Sequence, residues 1–128
     1  MGTTFATRYF AVRTLTRPEA WIEVRGEFDL ASVPTFQAAV RGLGLSCHGR
    51  VVLDLRRLSF IDAAGLHAVL DLHDECLRLS TVLTVLRGPR NVQRVFELAR
   101  VDWLCPSVDI GRREPQKSNE RRRNDGSQ

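Results

Sequence analysis

Lysine, tyrosine and methionine occur only once each in the 128 residues, and long apolar runs are missing altogether. No such run exceeds five residues, whereas a membrane helix needs about 20, so no membrane insertion is expected. The chain does not open on a charged segment followed by an apolar stretch, and it reads as cytoplasmic. Cysteine is sparse: Cys47, Cys76 and Cys105 are an odd number without a secretory pattern. That argues against a disulfide framework and for reduced, partly buried thiols, with a redox pair as the lesser reading. A phosphate-cradling loop is missing too, because "GLGL" at 42–45 lacks the later glycine and the lysine such loops use. No Ser-His-Asp arrangement is visible. Ser59 has no elbow glycines around it and reads as a strand-end residue bonded to backbone.

The residues that are present suffice for one domain with one core: 43% are hydrophobic and no low-complexity segment interrupts them. The net charge of +4 is unevenly spread. From Arg112 onward six basic residues face three acidic ones, and no hydrophobic residue follows Ile110. The expected division is a folded domain over 1–111 and a disordered basic tail over 112–128. The tail lacks interleaved aromatics, so direct nucleic-acid binding is not expected.

Tyr9–Thr14 and Trp21–Val24 read as short strands around a turn at Arg17, Pro18 and Glu19, the second ending at Gly26. Ser32 suits a helix N-cap, with Pro34 in the first turn. Val33, Phe36, Val40 and Leu43 follow at helical spacing, and Gly42 and Gly44 end the helix. "VVLDL" at 51–55 has the continuous apolar character of a strand covered on both faces. Leu66, Val69, Leu70, His73 and Leu77 then form an apolar stripe opposite His67, Asp71, Asp74 and Arg78. "TVLTVL" at 81–86 is another strand, and a last helix carries Val92, Val95, Phe96 and Ala99 on one face. This order predicts an α/β fold: a four- to five-stranded, mostly parallel mixed sheet with packed α-helices. Loops at the carboxyl ends of its strands would carry the site, "SFIDAAG" at 59–65 among them.

No catalytic residue, metal ligand or cofactor is expected. His73 and Cys76 stand three apart on one helix without a second ligand pair, and a buried core histidine is the better reading. Cys47-His48 is no stronger. Asp54 and Asp62 read as structural carboxylates near one sheet edge, one serving loop amides and the other capping a helix. The helix start after Asp62 differs, because its free amides and dipole favour negative charge. Ala63, Ala64 and Gly65 leave those amides uncovered and let another backbone approach.

"GEFDLASVPTFQAAV" (26–40), "VVLDLRRLSFIDAAGLHAVL" (51–70), "TVLTVLRG" (81–88) and "VQRVFELARVDWL" (92–104) together resemble the STAS domain of bacterial anti-sigma factor antagonists. Asp29, Asp54, Asp62, Gly65 and Leu66 match that family's pattern. The resemblance implies a non-catalytic domain that binds an anti-sigma factor of the kinase-like ATPase type and thereby releases a sigma factor. It assigns partner binding to Asp29, Asp62, Ala63, Ala64, Gly65, Leu66 and His67, with Asp29, Ala64, Leu66 and His67 on one exposed patch. It also implies phosphorylation at the second serine of a D-S-S-G motif. Here that position is Ala64, preceded by Ala63, and neither has a hydroxyl. Arg100 departs from the glycine common after the third helix. A weak homodimer is left open. The rival reading is a STAS regulatory subunit of a membrane (lipid) ABC transporter.

Overall fold

The computed structural model describes residues 2–16 and 19–106; the turn residues Arg17 and Pro18 and the expected basic tail lie outside these. Strands β1 (Gly2–Ala6), β2 (Phe10–Leu15) and β3 (Ala20–Phe28) come first. Helix α1 (Val33–Leu43), strand β4 (Arg50–Ile61) and helix α2 (Ala63–Arg78) follow, then β5 (Val82–Leu86) and α3 (Arg90–Leu98). One-turn 3-10 helices occupy Leu30–Ser32, Leu45–Cys47 and Asp102–Leu104. The strands form one mixed sheet in the order β1-β2-β3-β4-β5. The first two pairings are antiparallel and the last two parallel. The expected α/β architecture with a four- to five-stranded mixed sheet is therefore present with five strands, but the sheet is not mostly parallel: its pairings divide evenly. β1, a polar edge strand with no apolar alternation to betray it, supplies the extra antiparallel pair.

Phe10 and Val12 of β2, Ile22 and Val24 of β3, and Leu53 and Leu55 of β4 alternate onto one face of the sheet. They form a single buried cluster with Phe36 and Ala39 of α1, Val69 and Leu72 of α2, and Val92 and Phe96 of α3. The Phe28 ring lies between those of Phe10 and Phe36, with centroids 5.1 and 4.8 Å away. Each fully buried ring of this kind contributes roughly 1.5–3 kcal/mol. Among the described residues no helix is long and apolar enough to cross a membrane.

Several elements depart from the sequence expectation. β3 does not stop at Gly26 but runs on to Phe28. Gly26 has φ +90°, and a Cβ there would collide with the Tyr9 carbonyl, so glycine permits this close approach where the pairing with β2 ends, and β3 continues along β4 with Glu27 and Phe28 opposite Phe60 and Ile61. Ser32 stands at the N-cap of α1 as expected but makes no side-chain cap bond to it; the cap bond lies one turn earlier, where Asp29 Oδ1 accepts from the Ser32 N–H at 3.1 Å at the start of the one-turn helix Leu30–Ser32. Gly42 lies within α1, and Gly44 ends it. Asp54 is in mid-strand, not at a strand end: it is buried in β4 and accepts from the Arg56 backbone and guanidinium at 3.0–3.1 Å. The apolar stripe of α2 is rotated: Leu72 and Cys76 enter the core, while Leu77 is 66% exposed. His73 is half-buried, with its ring edge-on to Trp103 at 5.1 Å and Nδ1 3.4 Å from Asp74 Oδ1. It is therefore not a core histidine. Ala99 caps α3 and is exposed.

Candidate functional site

β3 and β4 run parallel and end together, Phe28 opposite Ile61. Two short acidic connections leave from this shared edge. After Phe28, Asp29 caps the one-turn helix Leu30–Ser32 in a reciprocal arrangement, its Oδ1 also accepting from Ser32 Oγ at 2.9 Å. After Ile61, Asp62 caps α2, its Oδ1 accepting from the Gly65 N–H at 3.1 Å. Such caps are each worth about 1 kcal/mol. The two connections are tied together, because the Asp62 N–H donates to the Phe28 carbonyl at 3.2 Å. Gly65 is the point of closest approach. A Cβ there would meet that same Phe28 carbonyl and would stand 2.9 Å from Ile61 Cγ1.

The seven residues expected from the sequence to bind a partner therefore divide into two groups. Asp29 and Asp62 are half-buried caps, and Gly65 is a buried spacer. Leu66 is only 5% exposed and belongs to the core. Its expected place on an exposed patch is corrected, because its helical position turns it toward the sheet. What faces outward is Ala63, exposed, Ala64, half-buried, and His67, exposed one turn further on. Asp62 occupies the Gly65 amide, so part of the helix's affinity for anions is satisfied within the chain.

Leu30, which the sequence reading missed, adds a large apolar side chain. It is 73% exposed on the one-turn helix that packs against α2. Its signal was present in "EFDLAS": Phe28 fills the core and Asp29 the cap, leaving Leu30 nowhere inward to point. Phe60, 46% exposed near the end of β4, was missed for a similar reason. Two irregularities in the β3–β4 register shift the inward and outward positions there.

The three cysteines are free. Burial pushes the Cys105 thiol up to about 11, outweighing the Gln93 hydrogen bond and the Arg87 charge that lower it. Burial, aided by Glu75, also raises Cys76. Both thiols stay protonated at neutral pH and are poor nucleophiles. Cys47 is exposed. Among the described residues no three His, Cys, Asp or Glu side chains are placed to hold a metal ion.

The fold and the site together define a small α/β domain whose second helix starts with an exposed and a half-buried alanine at the end of two parallel strands. The family model described as "Mlab, STAS domain" matches residues 12–106, and the chain belongs to the STAS domain family. An anti-sigma factor antagonist from Mycobacterium paratuberculosis has a similar structure, with a TM-score of 0.69 at 18% identity, covering 80% of this chain and 87% of that one. The anti-sigma factor antagonist SpoIIAA in its unphosphorylated form gives 0.64 at 21% identity, covering 79% and 89%. The Bacillus SpoIIAA in its phosphorylated form gives 0.59 at 20%, covering 79% and 92%. A part of SLC26A9 is also similar, with a TM-score of 0.56 at 16% identity, covering 78% of this chain and 20% of that one. No curated protein sequence matches.

Proposed function

We propose that this STAS domain is a non-catalytic, cytoplasmic anti-sigma factor antagonist. It docks a kinase-like anti-sigma factor through the start of α2, and it has lost the phosphorylation that would release that partner. The carrying observation is the helix start itself: the Asp62 cap and the Gly65 contact are intact, while Ala63 and Ala64 present methyl groups. Without an oxygen, neither alanine can accept a phosphoryl group. Two similar structures are anti-sigma factor antagonists, and one of those proteins has been seen both with and without phosphate. Partner binding then rests on Leu30, Ala63, Ala64 and His67 at the surface, with Asp29, Asp62 and Gly65 holding their backbone.

Incubation with the anti-sigma kinase and ATP should leave the wild type unmodified at 63–64 and convert Ala64→Ser into a substrate. Ala64→Glu should bind the partner roughly a hundredfold more weakly, since a desolvated charge in a close contact costs several kcal/mol. Its melting temperature should hold, because the helix dipole tolerates a carboxylate in the first turn. Wild-type affinity in Ala64→Glu would refute the docking surface.

A second reading is that the domain regulates a membrane lipid ABC transporter as a separate subunit. The similarity to one-fifth of SLC26A9 favours it, since it shows the fold serving within a much larger protein. Capture from the native host separates the two readings. A sigma-factor regulator supports the first, and a permease with its ATPase supports the second.

A further inference from the structure

The other face of the sheet carries an arginine pair that the docking site does not use. Cross-strand register places Arg13 opposite Glu23 and Glu23 opposite Asp54. Two residues further along β3, Arg25 lies opposite Arg57, which is three residues beyond Asp54 on β4. The extra β4 residue is a β-bulge. Without it Arg25 would oppose Arg56 and Arg57 would turn toward the core. With it, Arg57 joins the face that carries Asp54, and Leu58 takes the buried position. Arg13, Glu23, Arg25, Arg56 and Arg57 line one shallow hollow there.

The acidic groups of this hollow are engaged. Asp54 takes a bidentate contact from Arg56 at 3.0 and 3.1 Å, and Glu23 lies 3.9 Å from Arg13. Among the described residues, the side chains of Arg25 and Arg57 have neither an ion pair nor a hydrogen bond. Like charges placed directly opposite on neighbouring strands destabilise a sheet. Here a bulge creates that juxtaposition, and bulges tend to re-aim side chains for a purpose.

We infer that this arginine-lined sheet face is a second docking surface, and that its occupant is an acidic segment of a partner protein. Guanidinium forks match carboxylates in bidentate geometry. The hollow is open and lies across several strands, so a lone small anion would remain largely in water while an extended acidic segment would span it. The chain's own residues from Arg112 onward are excluded as occupant by charge, because they are net basic. This surface does not depend on the anti-sigma reading.

The test uses a fluorescein-labelled ten-residue polyglutamate peptide at low ionic strength, read by anisotropy against the full chain. Wild type should bind it. R25E/R57E, which keeps the basic tail, should bind at least tenfold more weakly, and R90E/R94E at the start of α3 should bind as wild type does. Circular dichroism checks that each variant is folded. Three results would each overturn the inference. One is R25E/R57E binding within twofold of wild type, and another is an equal loss in R90E/R94E. The third is displacement of the peptide by inorganic phosphate at matched ionic strength, which would mark an oxyanion site instead. An independent readout is stability. R25E alone replaces a like-charge pair with an opposite one and should raise the melting temperature, while a fall would remove the premise.

Discussion

Replacing Gly65 with alanine sets two effects of known sign against each other at the centre of the site. In an unconstrained helix interior the change stabilises by about 0.8–1 kcal/mol, because glycine loses more backbone entropy on folding. Here the added methyl would meet the Phe28 carbonyl and come within 2.9 Å of Ile61 Cγ1. Backbone on one side and a buried side chain on the other leave little room to yield. Overpacking of this kind typically costs 1–3 kcal/mol. The carbonyl that must move also accepts the Asp62 N–H at 3.2 Å, a bond worth a further ~1 kcal/mol. The clash should win by about 2 kcal/mol net. For a domain of this size that lowers the melting temperature by roughly 8 °C. Thermal unfolding followed by circular dichroism measures it directly. A melting temperature equal to or above that of wild type would refute the close approach, and with it the claim that glycine ties α2 to the end of β3. Since the helix start would shift against Leu30, partner affinity should fall in the same variant.

The end of α3 offers a test of opposite sign. Arg100 has φ +61°, and the N–H groups of Arg100 and Val101 bond to the carbonyls of Glu97 and Phe96, closing the helix through a left-handed residue. That conformation costs a non-glycine residue about 1–2 kcal/mol, partly offset by the extra freedom of glycine when unfolded. Arg100→Gly should therefore stabilise by about 0.5–1 kcal/mol, read as a melting point a few degrees higher. The buried thiols should also shape the pH dependence. Cys105 keeps its proton to about 11 in the folded state against an ordinary 9.0. The unfolded chain therefore releases that proton first, and its contribution is complete below pH 9 and lost as pH rises from 9 through 11. Urea midpoints at pH 8 and 10.5 should fall accordingly, and Cys105→Ala should flatten the decline. At pH 8 a native alkylation should label Cys47 before Cys76 or Cys105.

What could be read from the sequence was what local chemistry determines. The apolar run 51–55, the amphipathic stretches and the cap at Asp62 all specify their own element, and each appears in the structure. What escaped depends on neighbours. β1 has no apolar period because most of it is exposed at the sheet edge, so only its pairing with β2 makes it a strand. The α2 stripe was misread because His73 and Leu77 share the spacing of the true inward residues Leu72 and Cys76. Only packing against the sheet decides between two faces a fraction of a turn apart. The inward turn of Leu66 and the outward turn of Leu30 were hidden for the same reason. The arginine pair was wholly illegible, since "RR" at 56–57 reads as an exposed doublet until the bulge aligns Arg57 with Arg25.

The two proposed surfaces are built on the same pair of strands, and that proximity has a consequence for the partner. Arg25 and Arg57 precede Phe28 and Ile61 by three and four residues, and the latter pair leads directly into Asp29 and Asp62. At about 3.3 Å per strand residue, the arginines lie only about 10 Å from the sheet edge where α2 begins. One partner seated on the helix start could thus extend an acidic segment over the rim and onto the arginine face. Each contact would raise the effective concentration of the other, as linked sites do. Loss of a phosphorylatable hydroxyl would then leave the second contact as the adjustable one. Its strength would fall with ionic strength, because exposed charge pairs are screened within about 10 Å at 0.1 M salt. The helix-start contact, made by the alanine methyl groups, Leu30 and His67, carries far less charge and should depend much less on salt. Partner affinity should therefore drop with salt in the wild type toward a plateau, and in R25E/R57E it should start near that plateau and stay there. A salt response of equal slope in both proteins would mean that the two surfaces do not serve one partner.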